Sequence, residues 1–337
     1  SFRLPPTSSA ARPERLLLYG RLLAISGRPA EAIDLLKTEL ETLPAGRMRA
    51  MAMIGLASEV TDPDEVRSFL ARARQECPDD DGMRAAATAI LALREAVIEL
   101  RDVGGAEARL AAELPHAARS GPELEQEILL DLLWINALRG HSVDAARARF
   151  APLSLDALAR NPLPEMIDAQ RLLWRGEIAE ARDQLVGLMA RGELGTRFYA
   201  LNRFYLCDLE LRCGRWDLAE SLLDEWVESS DDEFVWPMFE RCHAHLAAGR
   251  GDAEATHRWV DETLARAATT DEGWNRLEAV RARGLSALGA GATDSAVASL
   301  LEVWEHTQRE GIDEPGVFGG RGREQSLIDQ PFDGCWL

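Results

Sequence analysis

The sequence has 337 residues, 46% hydrophobic and 28% charged, with a net charge of −19 and a single lysine, Lys37. So acidic a chain lacks the clustered cations that hold phosphates, which excludes direct nucleic-acid contact as its own activity. No run approaches the ~18 apolar residues of a membrane span, and the start, SFRLPPTSSAARPER, lacks the charged-then-apolar order of a secretory leader. The expectation is a soluble, cytoplasmic protein without membrane contact.

Aromatic residues make up only 6% of the chain, so its apolar content is mostly alanine and leucine. Those are strong helix formers, and an all-α fold is expected. Residues 1–14 read as an N-terminal extension. From residue 15 onward one unit recurs: a small turn, then a helix with alanine on its inner face. SGRPAEAIDLL carries Gly27 and Ala32; RGHSVDAARARF carries Gly140 and Ala145; RGEIAEARDQL carries Gly176 and Ala181. CGRWDLAESLLDEW carries Gly214 and Ala219, and GAGATDSAVASLL carries Gly291 and Ala296. In all five the alanine follows the glycine by five residues. Looser versions surround Gly104 and Gly251, and a proline-marked one, TDPDEVRSFL, begins near Asp62.

The spacing turns these matches into a repeat. Gly140 to Gly176 is 36 residues, Gly176 to Gly214 is 38, and Gly251 to Gly291 is 40. That period, with a turn in its middle, belongs to helix–turn–helix solenoids. Each glycine would close a first helix in the left-handed conformation, and each alanine would let a second helix pack closely on it. Apolar residues at Ile128, Leu132, Ile135 and Leu138 form one helical stripe, and Leu218, Leu222 and Trp226 another. Prolines 44, 78, 122, 152, 162, 164 and 315 fall at junctions. Gly20 and Gly284, each seven residues before a turn glycine, occupy the small position at which tetratricopeptide helices cross closely, and this unit resembles that family. The expected architecture over residues 15–315 is a right-handed superhelical solenoid of about eight antiparallel helix pairs. Residues 316–337 are Gly-rich and read as a non-helical tail, which Phe318, Phe332 and Trp336 could dock.

Motifs for chemistry are sparse. There is no phosphate-binding G-x-x-x-x-G-K-[ST], no G-x-S-x-G elbow and no H-E-x-x-H. The five cysteines are scattered without a C-x-x-C, so reduced thiols are expected. Cys242, His243 and His245 lie close together, but neighbours on a helix diverge by about 100°, so they read as ordinary helix residues rather than metal ligands. Between Arg215 and Glu262 stand thirteen acids against four arginines, densest at ESSDDEF, which reads as a solvated loop. No catalytic, cofactor or metal site is expected. In a solenoid the first helices line a concave surface that binds ligands or peptides. The candidates there are Tyr199, Asn202, Arg203, Tyr205, Trp236, Arg241, Trp274, Asn275 and Arg281, which mix aromatic anchors with forked donors.

Two stretches carry a more specific likeness. RPERLLLYGRLLAISGRPAEAIDLL through DPDEVRSFLARARQECPDD resembles the helical region that follows the ATPase module of large LuxR-type transcriptional regulators. WEHTQREGIDEPGVF is similar to that family's final repeat. The resemblance implies a bacterial, non-enzymatic array that senses an inducer or a protein partner and controls self-association. The family's ATPase and DNA-binding modules are not in this sequence, so ATP and DNA contacts are carried over to no residue here. The chain then reads as the sensor region of such a regulator, or as a stand-alone adaptor that binds peptides or its own tail.

Overall fold

The computed structural model describes residues 11–151, 162–191, 196–229 and 236–312, apart from the side chains of 196–197, 226–229 and 236–237. The expected tail and most of ESSDDEF lie outside these residues. Sixteen α-helices and no strand occur among them, and they fall into eight pairs. In chain order these are α1 (Arg12–Ile25) with α2 (Pro29–Glu39), α3 (Arg47–Glu59) with α4 (Pro63–Glu76), and α5 (Asp81–Leu93) with α6 (Val103–Ser120). Next come α7 (Pro122–Leu138) with α8 (Asp144–Phe150), α9 (Leu163–Trp174) with α10 (Ile178–Ala190), and α11 (Thr196–Arg212) with α12 (Trp216–Ser229). The last are α13 (Trp236–Gly249) with α14 (Ala253–Thr270) and α15 (Gly273–Gly289) with α16 (Thr293–Glu310). Members of a pair pack on each other, and every first helix also touches the first helix of the next pair, from α1 on α3 to α13 on α15.

Six of the eight pairs turn in the same way. Glycines 27, 140, 176, 214, 251 and 291 have φ between 66° and 80°, a conformation open to glycine at no steric cost. At each, the glycine N–H and the next residue's N–H cap the last carbonyls of the first helix. At Gly214, for example, Gly214 N donates to Leu211 O (3.1 Å) and Arg215 N to Glu210 O (2.9 Å). Where no glycine stands, an aspartate starts the second helix: the Asp62 carboxylate accepts from the N–H groups of Asp64 and Glu65. The alanines that follow the turns are buried against the first helix, with Ala32, Ala181 and Ala219 at 0% exposure. A Cβ on Gly20 would come within 3.2 Å of Leu36, and one on Gly284 within 2.9 Å of Leu300, so these helices do cross closely at the positions expected.

Four details differ from the sequence reading. In the fourth pair Ala146, not Ala145, is the buried alanine; α8 begins four residues after its turn glycine, where the other glycine-turned second helices begin two after theirs. On α12 the buried stripe is Ala219 and Leu223, while Leu218 stays exposed. Pro115 lies inside α6, where a proline removes one backbone hydrogen bond. Gly104 also lies within α6; the third pair turns instead through a π-turn at Arg94–Ile98, with Leu100 and Asp102 both at φ 48°. Left-handed conformations at residues with a Cβ cost roughly 1–2 kcal/mol each, so the surroundings must hold this turn.

The buried stripe of α7 follows the pattern in the sequence: Ile128, Leu132, Ile135 and Leu138 are all in the core. The main apolar cluster runs from α5 to α16, and a second one joins α1 to α5. No helix among the described residues is long and apolar enough to cross a membrane.

Candidate ligand pocket

The first helices α11, α13 and α15 carry polar residues at helical spacings where their neighbours are apolar. Tyr205, Asp208 and Arg212 recur on α11, Arg241 and His245 on α13, and Trp274, Glu278 and Arg281 on α15. The structure brings these three stripes together.

At one end of the shared face is an aromatic chain. The Trp134 ring of α7 lies 6.0 Å from that of Tyr205, and Tyr205 lies 5.3 Å from Phe204. The Arg241 guanidinium sits 4.4 Å from the Phe204 ring centre and 5.6 Å from that of Trp274, which are cation–π distances. Arg241 Nη1 donates to Asn275 Oδ1 (3.3 Å), and Asn275 Nδ2 donates to Glu272 Oε2 (2.6 Å). Burial pushes the Tyr205 hydroxyl well above its ordinary range, so it stays protonated.

At the other end a pocket of about 250 Å³ opens between the ends of the same helices. Its floor is ionic and buried. Glu278 accepts from His245 Nε2 at 2.8 Å, with Arg281 Nη1 at 3.4 Å and Arg212 Nη2 at 3.7 Å. Arg212 Nε also pairs with Asp208 at 3.0 Å. Burial alone would raise the Glu278 pKa, but Arg281, His245 and Arg212 outweigh it and hold the carboxylate well below its usual range. Burial lowers the His245 pKa, and the Glu278 carboxylate opposes this only in part. The imidazole is therefore neutral at pH 7 and donates its Nε2–H. The pocket walls are apolar: Leu211, Trp216, Ala248, Leu285 and Leu288. A Cβ on Gly249 would lie 2.5–2.8 Å from three atoms of the Trp216 ring, so the bare backbone there lets the indole rest against α13.

Apolar walls over a floor of fixed charges suit a ligand with an apolar body and a polar end. Buried ionic clusters are expensive unless fully paired, and such clusters in clefts mark functional sites more often than chance. The nearby Cys207 thiol is pushed up by burial and so is not a thiolate nucleophile.

The nine residues singled out from sequence do not share one surface. Tyr205, Arg241, Trp274, Asn275 and Arg281 lie on the inner face just described. Asn202 and Arg203 turn toward second helices instead, and Tyr199 is an exposed neighbour of Arg203 on α11. Asn202 is fully buried and donates to Leu185 O of α10 (2.9 Å), and Arg203 pairs with Glu225 of α12 while lying 5.7 Å from the Tyr199 ring centre. Trp236 begins α13, and its side chain lies outside the described residues.

Asp208, Arg212 and His245, which line the pocket, and Glu278, which pairs with the lining residues His245, Arg281 and Arg212, were not chosen as ligand candidates from the sequence. Their signal was there as charges at i, i+3 and i+4 on otherwise buried helices. The Cys242–His243–His245 cluster separates as helical geometry requires. Cys242 is buried, His243 stacks on Trp259 at 4.5 Å, and His245 enters the pocket. The acidic stretch from 215 to 262 is paired in part where it is described: Arg250 binds Asp217 and Glu220, Arg266 binds Glu240, and Arg203 binds Glu225. No protein-family model matches the chain, and no curated protein matches it either.

Proposed function

We propose that this chain is a non-catalytic sensor and protein-interaction region, in which eight helix pairs stack as a right-handed, tetratricopeptide-like superhelix. The inner face of α11, α13 and α15 holds the ligand, which is an inducer or a segment of a partner protein. The observation that carries this reading is the pocket floor of Arg212, Arg281 and His245, which one buried carboxylate behind it, Glu278, gathers from three first helices. Because the floor draws on three pairs at once, a ligand seated there favours one relative placement of those pairs. Binding then shifts the population of the whole array toward that placement. The resemblance of the first two pairs and of Trp304–Phe318 to LuxR-type regulators supports placing this switch within such a regulator, where it would control self-association.

The test is a thermal-shift screen of the full chain against small organic acids, amphipathic metabolites and short peptides. Arg281→Met and Glu278→Gln are run in parallel. A ligand at a hundredfold excess over its Kd stabilises by about 2.7 kcal/mol, a shift of several degrees. The expected result is at least one compound that shifts the parent and neither variant. Compounds that shift all three proteins equally would place binding elsewhere and overturn the reading.

A further inference from the structure

The turn of the third pair, residues 94–102, makes contacts far along the chain. Leu100 O accepts from His306 Nε2 (2.8 Å), and Asp102 N donates to Glu310 Oε2 (2.7 Å). Arg94 Nη2 donates both to Thr61 O (2.6 Å) and to Thr270 O (3.0 Å), while Arg101 pairs with Asp271 at 3.2 Å. A Cβ on Gly273 would overlap the Glu99 carbonyl oxygen, so the first residue of α15 rests directly on the backbone of this turn. The Glu99 side chain, 1% exposed, is held by Arg94, Arg67 and Arg101. The left-handed Leu100 and Asp102 thus present their backbone groups to α16 of the eighth pair, while Arg94 and Arg101 reach the end of α14 in the seventh. Backbone strain of this kind persists only where surrounding contacts over-determine it.

The same helix joins this contact to the pocket. Gly273 is followed at once by Trp274 and Asn275, and Asn275 links Glu272 to Arg241. One and two turns further along α15 stand Glu278 and Arg281, which pair with each other, and Arg281 lines the pocket. Wherever the turn holds Gly273, it sets the position of the third wall of the binding face.

We propose that residues 94–102 form a latch that closes onto α14–α16, fixes α15 in the binding face, and is released by acid through His306. This rests on the reading that α15 belongs to the ligand site. His306 Nε2–H donates to Leu100 O, while Nδ1 accepts from Arg309 (2.8 Å) and faces Arg276 (3.5 Å). A second proton would sit on Nδ1, against both guanidiniums. Arg276 is bound by Glu302, and Glu310, the nearest acid, is engaged by Asp102 N and Arg309. Burial lowers the His306 pKa further, with the Leu100 carbonyl opposing. The latched form therefore holds a neutral imidazole. Its advantage is complete above the ordinary histidine value of 6.5 and is lost as pH falls below it.

Hydrogen exchange of the full chain, read by mass spectrometry and corrected for intrinsic rates, tests this without any ligand. Gly273→Ala should accelerate exchange about tenfold or more over 94–102 and over 274–281, with 12–39, which does not touch the turn, unchanged. His306→Gln keeps a donor for Leu100 but cannot be protonated. Between pH 7.5 and 5.5 the parent should accelerate at 94–102 and this variant should not. Unchanged exchange at 94–102 in Gly273→Ala would overturn the latch, and acceleration there with 274–281 unmoved would overturn its hold on α15. Equal pH responses in the parent and His306→Gln would overturn release by acid. Should Gly273→Ala fail to fold, Glu310→Ala removes the acceptor of the Asp102 N–H and is read by the same criteria. A failed ligand screen with this exchange pattern intact would count against the binding reading alone.

Discussion

Gly249 and Trp216 show how single residues shape the pocket. The indole lies where any side chain on Gly249 would stand, and the contact is ring against backbone, with no flexible tip to yield. Gly249→Ala removes the penalty of a glycine at a helix end but forces the ring away. The net effect should be a loss of about 1–3 kcal/mol in urea unfolding, as for other overpacked sites. A variant as stable as the parent would mean that the indole is not against α13. Charge at the floor predicts a pH profile. The Glu278 pKa is depressed from 4.5, so its contribution is present above that value and lost as pH falls through its folded pKa. The His245 pKa is depressed from 6.5, so the unfolded chain takes up its proton first and stability begins to fall below about 6.5. Unfolding free energies for His245→Gln should therefore decline less between pH 6.5 and 5 than those of the parent, and identical slopes would contradict the assigned neutral imidazole. Little of this was legible beforehand. Residue types marked α11, α13 and α15, but which side of a helix faces its neighbours depends on packing, and Asn202 and Arg203 turned the other way.

At the scale of elements the turns were the most legible feature, because the reason for each is local. A left-handed residue after a helix favours glycine for local steric reasons, and six glycines at these turns took that conformation. The third pair was illegible for the converse reason. Its left-handed residues are Leu100 and Asp102, held by His306 and Glu310 of α16 and by Arg94 of the turn reaching Thr270, so local propensity pointed instead to Gly104. Neighbouring pairs can be tested through the single lysine. Lys37 of α2 binds Glu65 of α4 at 2.7 Å across two successive pairs. Carbodiimide coupling followed by peptide mapping should join Lys37 to Glu65. Coupling of Lys37 only to acids of its own helix would mean that the second helices of these pairs do not meet.

For the whole molecule, periodicity indicated the number of pairs but not the path they follow. Turn chemistry and alanine positions specify how one pair forms; the angle between pairs is set by side chains that repeat poorly from one unit to the next. The contact of residues 94–102 with α14–α16, some 170 to 208 residues away, has no signature in any local pattern. It is nevertheless what joins the third pair to the seventh and eighth, beyond the contacts between successive pairs. Small-angle X-ray scattering of the full chain, alone and as Gly273→Val, measures that junction most directly. The account predicts a parent profile fitted by the joined arrangement and a larger radius of gyration for the variant. A parent already as extended as the variant would show that these pairs do not meet, and would contradict the account.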